Sequence, residues 1–220
     1  MRQANAPARR LSRKLRACMS VVVLALSGCA MLPASETLAF YRLPDANGAV
    51  VDAAVPGPVR LPMVLRVATP YGNRAVDSTR ILVVPEADRV SAYKGARWSD
   101  TVPVLLRDRL IQSFRDAEVF RTVVADSGNL GADVELSSDL SRFHVIYRSG
   151  SPVAVVALDA TLVEPASSRI LASRRFLAER AVQGKAVPEV VQAFGLAVDE
   201  LTSQLLAWTR EHAPAGEEAH

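Results

Sequence analysis

Apolar and polar positions change their spacing several times along the chain, and each change marks an element. Residues 38–43 form a short apolar run that predicts a first strand, closed by the turn residues Pro44, Asp45, Ala46, Asn47 and Gly48. Residues 48–62, which hold Pro56, Gly57, Pro58 and Pro62, read as a loop. A strand resumes over 63–69, and residues 80–84 and 89–93 flank Pro85, Glu86, Ala87 and Asp88 in the manner of a hairpin. The spacing then lengthens to three and four. Leu106, Leu110, Phe114 and Ala117 share one face of a helix that Ser99 or Asp100 can cap and whose first turn tolerates Pro103.

Residues 120–125 predict another strand, and three long ones follow over 133–148, 153–164 and 169–182. They are separated only by Ser149-Gly150-Ser151-Pro152 and Pro165-Ala166-Ser167-Ser168. Loops this short join antiparallel neighbours, because a parallel connection needs about a dozen residues or more. A three-stranded meander is the consequence. Val190, Phe194, Val198, Leu201, Leu205 and Trp208 form a second helical stripe entered through Pro188, and residues 213–220 read as a frayed polar tail. Two amphipathic helices placed after groups of strands, with a mostly antiparallel sheet, predict a single two-layer α+β domain.

The amino-terminal pattern is of another kind. Arg2, Arg9, Arg10, Arg13, Lys14 and Arg16 precede a short apolar run that includes residues 21–26 and ends at small residues. The run is too short for a bilayer, which needs about 20 apolar residues, so the segment reads as an export signal removed on maturation. Its last residues, Leu26-Ser27-Gly28-Cys29, resemble a bacterial lipobox, which implies cleavage between Gly28 and Cys29 and a diacylglyceryl group on the Cys29 thiol. The alternative is a conventional cleavage site near which Cys29 is an ordinary apolar residue. The predicted organisation is a signal over 1–28, a lipidated tether over 29–36, one domain over 37–212 and the tail.

Cleavage reverses the charge argument. The whole chain has 26 basic and 23 acidic residues for a net +3, but six basic residues and no acidic ones lie before Cys29, which leaves 20 against 23, a net of −3. The high isoelectric point is therefore no sign of nucleic-acid binding. Cys18 leaves with the signal, so the mature chain of about 190 residues keeps one cysteine, and neither a disulfide nor a cysteine-based metal site can be built from it.

The order of these motifs resembles the ABC-type transport auxiliary lipoproteins, the PqiC-like group. The resemblance is carried by the lipobox, by Phe40-Tyr41-Arg42-Leu43, by Arg80-Ile81-Leu82-Val83-Val84 with Tyr93 and Trp98, and by Leu140-Ser141-Arg142-Phe143. It implies a fold similar to the TolB amino-terminal domain. It further implies an outer-membrane lipoprotein facing the periplasm that works with an MCE-domain protein and an inner-membrane transport component to move lipids. Ala30, which is not an aspartate, favours the outer membrane on the sorting rule of enteric bacteria. A homo-oligomer, ring-like if it caps a tunnel, belongs to the same expectation. The 48–62 loop and Thr69-Pro70-Tyr71-Gly72-Asn73 match no motif of the group.

Tyr93 and Trp98 are the candidate partner-surface residues, since such side chains combine large buried area with a polar handle. For Trp98 the competing reading is a plug at the sheet end under the first helix. One of Phe40 and Tyr41 must face the core if the first strand is half-buried, and alternation sends Arg174 and Arg175 to opposite faces, which favours a solvated surface over a headgroup site. No G-x-S-x-G, H-E-x-x-H, G-x-G-x-x-G or P-loop is present, and His144, His212 and His220 have no paired ligand at helical spacing. The expectation is a non-enzymatic lipoprotein with no metal, no nucleic acid and no cofactor beyond the covalent lipid. A structural or assembly-factor envelope lipoprotein and a lipid-anchored hydrolase are the readings from other classes.

Overall fold

One long strand organises the domain. The computed structural model describes residues 37–44, 60–86, 88–128 and 130–214. The expected signal with Gly28, Cys29 and the expected tether to residue 36, residues 45–59 and the end of the expected tail from residue 215 lie outside them. The elements are β1 (Ala39–Tyr41), β2 (Leu61–Val67), β3 (Tyr71–Gly72), β4 (Arg80–Glu86), β5 (Arg89–Trp98), α1 (Val102–Asp116), β6 (Phe120–Ala125), β7 (Val134–Arg148), β8 (Ser151–Glu164), β9 (Arg169–Ala181) and α2 (Val187–His212). The meander and both helical stripes stand where the apolar spacing puts them. Thr101, not Ser99 or Asp100, is the N-cap of α1; the Asp100 carboxylate instead accepts the Thr101 N–H at 2.6 Å.

β7, β8 and β9 pair antiparallel along nearly their whole lengths. Ser149 and Gly150 close the first hairpin with φ of 49° and 79°. Two positive φ values in a row are what a two-residue turn needs to match the strand twist. The other edge of β7 is shared among three parallel partners: β2 beside Val134 and Leu136, β3 beside Asp139 and Leu140, and β4 beside Val145 and Ile146. β6 extends the β2 branch, while β5 and then β1 extend the β4 branch. The result is an open mixed sheet in an α+β fold.

A β-bulge in β7 keeps this sheet amphipathic. Leu140 stands opposite Leu158 and Arg142 opposite Ala157, so Ser141 is an extra residue on β7. Before it the buried side chains are Val134, Leu136 and Leu140; after it they are Phe143 and Val145. β8 has no such break there, and Ala154, Val156, Leu158, Ala160 and Leu162 stay on one side throughout. A strand alternates sides with period two, so without the extra residue half of β7 would turn its apolar set outward.

Both helices cover that inner side. Leu106, Leu110 and Phe114 of α1 and Val190, Phe194, Val198, Leu201, Leu205 and Trp208 of α2 join the sheet residues in one core. Arg109 of α1 reaches Asp199 of α2 at 2.5 Å, both largely shielded, and Arg180 of β9 reaches Glu200 at 2.5 Å. Pro44 passes α2 at Gly195. A Cβ there would stand 3.1 Å from the Pro44 ring and 3.3 Å from its carbonyl, so a side chain would require Pro44 to give way by a few tenths of an ångström. At the start of α2 the Glu189 carboxylate accepts the Ala186 N–H, the reverse half of a capping box.

Deletion of Ser141 is expected to abolish the cooperative thermal transition, whereas Ser141→Ala costs less than about 1 kcal/mol because it keeps the extra residue. Circular-dichroism melts of the two variants check this. A deletion variant that melts like the parent would contradict the parity argument.

Candidate functional site

Trp98 ends β5, the strand between β1 and β4, and its ring points inward. It is 1% exposed and meets Phe143 and Phe194 edge-on at 5.8 and 5.6 Å, while those two rings stack at 4.5 Å. Three elements, β5, β7 and α2, each supply one aromatic ring. Trp98 is thus a core residue and presents no surface to a partner, and the helical ring it meets is Phe194 of α2. The aromatic cluster fills the space between α2 and the sheet.

Tyr93, five residues earlier, behaves differently. It is half-buried against the core edge, and its hydroxyl faces that of Tyr147, which is 46% exposed. Burial, then the neighbouring Tyr147 charge and hydrogen bond, push the Tyr93 hydroxyl up to about 12. β4 lies between β5 and β7, and this tyrosine pair links the outer strands of that trio. Sequence spacing did not reveal Tyr147 because the pairing depends on the parallel β4–β7 ladder.

β1 settles the alternation at the start of the domain. Tyr41 sits beside Trp98 and packs against the core, while Phe40, beside Arg97, is 66% exposed. Leu38, two residues earlier and so on the same side by strand alternation, is 47% exposed. β1 is hydrogen-bonded to β5 on one side and, among the described residues, is the end strand of its branch.

The outer face of the meander is a ladder of charges and hydroxyls. Arg175 Nε and Nη2 donate to the Asp159 carboxylate at 2.6 and 3.0 Å and hold it below the usual carboxylate range. Arg148 likewise pairs with Glu179, and Arg66 with Glu135 at 2.9 Å. Arg174 lies instead with its guanidinium 5.0 Å from the Phe176 ring, so the two adjacent arginines do point to opposite sides. A cavity of about 270 Å³ on this face is lined by Thr69, Tyr71, Ser137, Asp139, Asp159 and Thr161 among others. It brings hydroxyls and two cross-strand carboxylates together without a histidine. Among the described residues no group of three or more histidine, cysteine, aspartate or glutamate side chains is placed to hold a metal ion. His144 is on β7, where burial and then the Arg142 charge lower its pKa. His212 at the end of α2 has Nδ1 2.9 Å from the Trp208 carbonyl, and His220 lies outside the described residues.

With this geometry in hand, comparison with known proteins is informative. A family model described as ABC-type transport auxiliary lipoprotein component matches residues 41–205. The crystal structure of a Xanthomonas campestris protein is 28% identical and superposes with a TM-score of 0.70 over 79% of this chain and 95% of that one. A second crystal structure, of an uncharacterized protein, is 17% identical with a TM-score of 0.61 over 79% and 99% of the two chains, a likeness of fold alone. An uncharacterized Bradyrhizobium diazoefficiens protein is 25% identical over 145 residues, 66% of this chain; the match spans 39% of that relative's length.

Two outcomes follow from the aromatic placements. Trp98→Ala is expected to cost about 3–5 kcal/mol in denaturant unfolding; a loss below about 1 kcal/mol would contradict a core role. In an alkaline titration followed by tyrosinate absorbance, Tyr93→Phe should remove a component near 12, and Tyr147→Phe should lower that component. The folded value lies above the ordinary 10.0, so Tyr93 contributes stability that is intact below pH 10 and is lost as pH rises toward 12. Removal by Tyr93→Phe of a component at 10 would contradict the contact.

Proposed function

We propose a role from one premise: the chain belongs to the family of ABC-type transport auxiliary lipoprotein components. The role is that of a non-enzymatic outer-membrane lipoprotein, held by lipid on Cys29 and facing the periplasm. It docks onto or caps the conduit of an MCE-type lipid-transport system whose other parts are an MCE-domain protein and an inner-membrane component. The carrying observation is the family match itself, which runs from the end of β1 into α2 and so takes in the sheet and both helices.

The packing supports action from the surface. Trp98, Phe143 and Phe194 fill the space between α2 and the sheet, and Phe114 and Phe120 pack at 6.1 Å on the α1 side. Side chains occupy the positions between helices and sheet where a carrier would hold an acyl chain. A domain of this kind works by positioning partners, and a ring of copies at the membrane is a fitting form for a cap. The lipid supplies the address: each buried CH₂ contributes about 0.8 kcal/mol, and more than one chain gives stable anchoring.

Intact mass of the protein isolated from membranes, with identification of what co-purifies, tests the proposal. The expected result is a chain that starts at Cys29, carries acyl groups and brings down an MCE-domain protein; Cys29→Ala should lose the acyl mass. An unmodified soluble chain would overturn the anchor, and a lipidated chain without such a partner would overturn the transport role in favour of a structural envelope lipoprotein.

A further inference from the structure

The chain enters the fold along a strip with a mixed character. Leu38 and Phe40 point to the outer side of β1, and Phe40 stands beside Arg97 across the parallel ladder to β5. On β5, Val90 is 54% exposed and Lys94 is exposed. Arg80 stands opposite Arg97 and Leu82 opposite Ala92, a register shift at Gly95, whose φ is 64°, so that Ala92 shares the side of Arg97 and alternation adds Val90 and Lys94 to it. Arg42, just after β1, is exposed. No acidic residue occurs over 37–44 or over 89–98. The edge therefore joins exposed apolar side chains to Lys94, Arg97 and Arg42.

The length of chain before β1 says what lies near this strip. Nine residue steps separate Cys29 from Leu38, and a fully extended chain spans at most about 3.3–3.6 Å per residue, so a lipid on Cys29 is within about 30 Å of Leu38. Because β1 runs parallel to β5, its amino-terminal end points along β5 toward Tyr93 and the β4–β5 turn. Resting on the anchor proposed above, we infer that the outer side of the β1–β5 edge, with Phe40 and Leu38 at its centre, lies against the anionic surface of the membrane that holds the lipid. The cations face phosphate groups, which attract Lys and Arg over about a Debye length. The phenyl ring enters the boundary between headgroups and acyl chains. Among the described residues β1 has one edge without a strand partner, and unpaired backbone groups are not tolerated in hydrocarbon, so contact stays at headgroup depth. The lipid then fixes orientation as well as location, because the domain is held at two points.

A fluorescent label reports this directly. Phe40→Cys and, as a reference on the solvent side of α2, Leu196→Cys are each labelled with an environment-sensitive dye in the mature lipidated protein and mixed with vesicles of phosphatidylethanolamine and phosphatidylglycerol. Both positions are exposed, at 66% and 51%, and the thermal transition verifies folding. The expected result is a blue shift and several-fold protection from iodide at position 40 but not at 196. Equal quenching at both positions, in protein that floats with the vesicles, would overturn the inference and leave the anchor standing. Protein that does not float would overturn the anchor and this inference with it. Protection at position 40 that arises in detergent and grows with protein concentration would assign the strip to a second copy and overturn membrane contact.

Discussion

In β7 a single extra residue, Ser141, lets one strand serve two incompatible alternations. The strand is fifteen residues long and has two halves with different duties. The first half pairs with β2 and carries the β6 branch; the second pairs with β4 and carries the branch that ends in β1. Each half must show its apolar residues to the helices, and the bulge restores the right side after Leu140. Phe143, the first core residue beyond it, is where Trp98 and Phe194 converge. The aromatic core is therefore a consequence of the bulge, and so is the position of β5, to which β1 is attached.

The two sides of the sheet then take different work. On the inner side, burial removes apolar area from water at roughly 25 cal/mol per Å², which is where the stability resides. On the outer side, the Arg175–Asp159, Arg148–Glu179 and Arg66–Glu135 pairs are reached by solvent, which screens them, so they add little to stability. Their physical effect is on solubility and pairing: β9 is an end strand thirteen residues long, and Arg169, Arg174, Arg175 and Arg180 along it discourage another chain from adding to the edge. β1, the end of another branch among the described residues, is three residues long and has no such row of arginines. That difference leaves the β1 edge, close in sequence to the anchor proposed at Cys29, as the place suited to interaction.

Elements with strong local periodicity were legible in the sequence. The helix stripes needed only spacing, and the three-stranded meander needed only short loops with Gly150 and Pro165. What was not legible depends on distant pairing. Arg66 and Glu135 are neighbours across 69 residues, and nothing local announces that β2, β3 and β4 align with one strand far ahead of them. β3 is two residues long, below what a pattern can show. For the same reason Trp98 stood as a surface candidate: its burial depends on Phe143 and Phe194, brought in by β7 and α2. Tyr93 was singled out without Tyr147. Phe40 and Tyr41 posed a choice that alternation frames but only the β1–β5 register decides.

Amide hydrogen exchange tests the dependence of both branches on β7 most directly. If the bulged strand is one mechanical unit, Leu136 before Ser141 and Val145 after it exchange only by global unfolding, with the same and the greatest protection, while β1 opens locally at lower cost. Two separate opening free energies for the halves of β7 would contradict the account, because the β4–β5–β1 branch and the β2–β6 branch would then be two units that happen to share a strand.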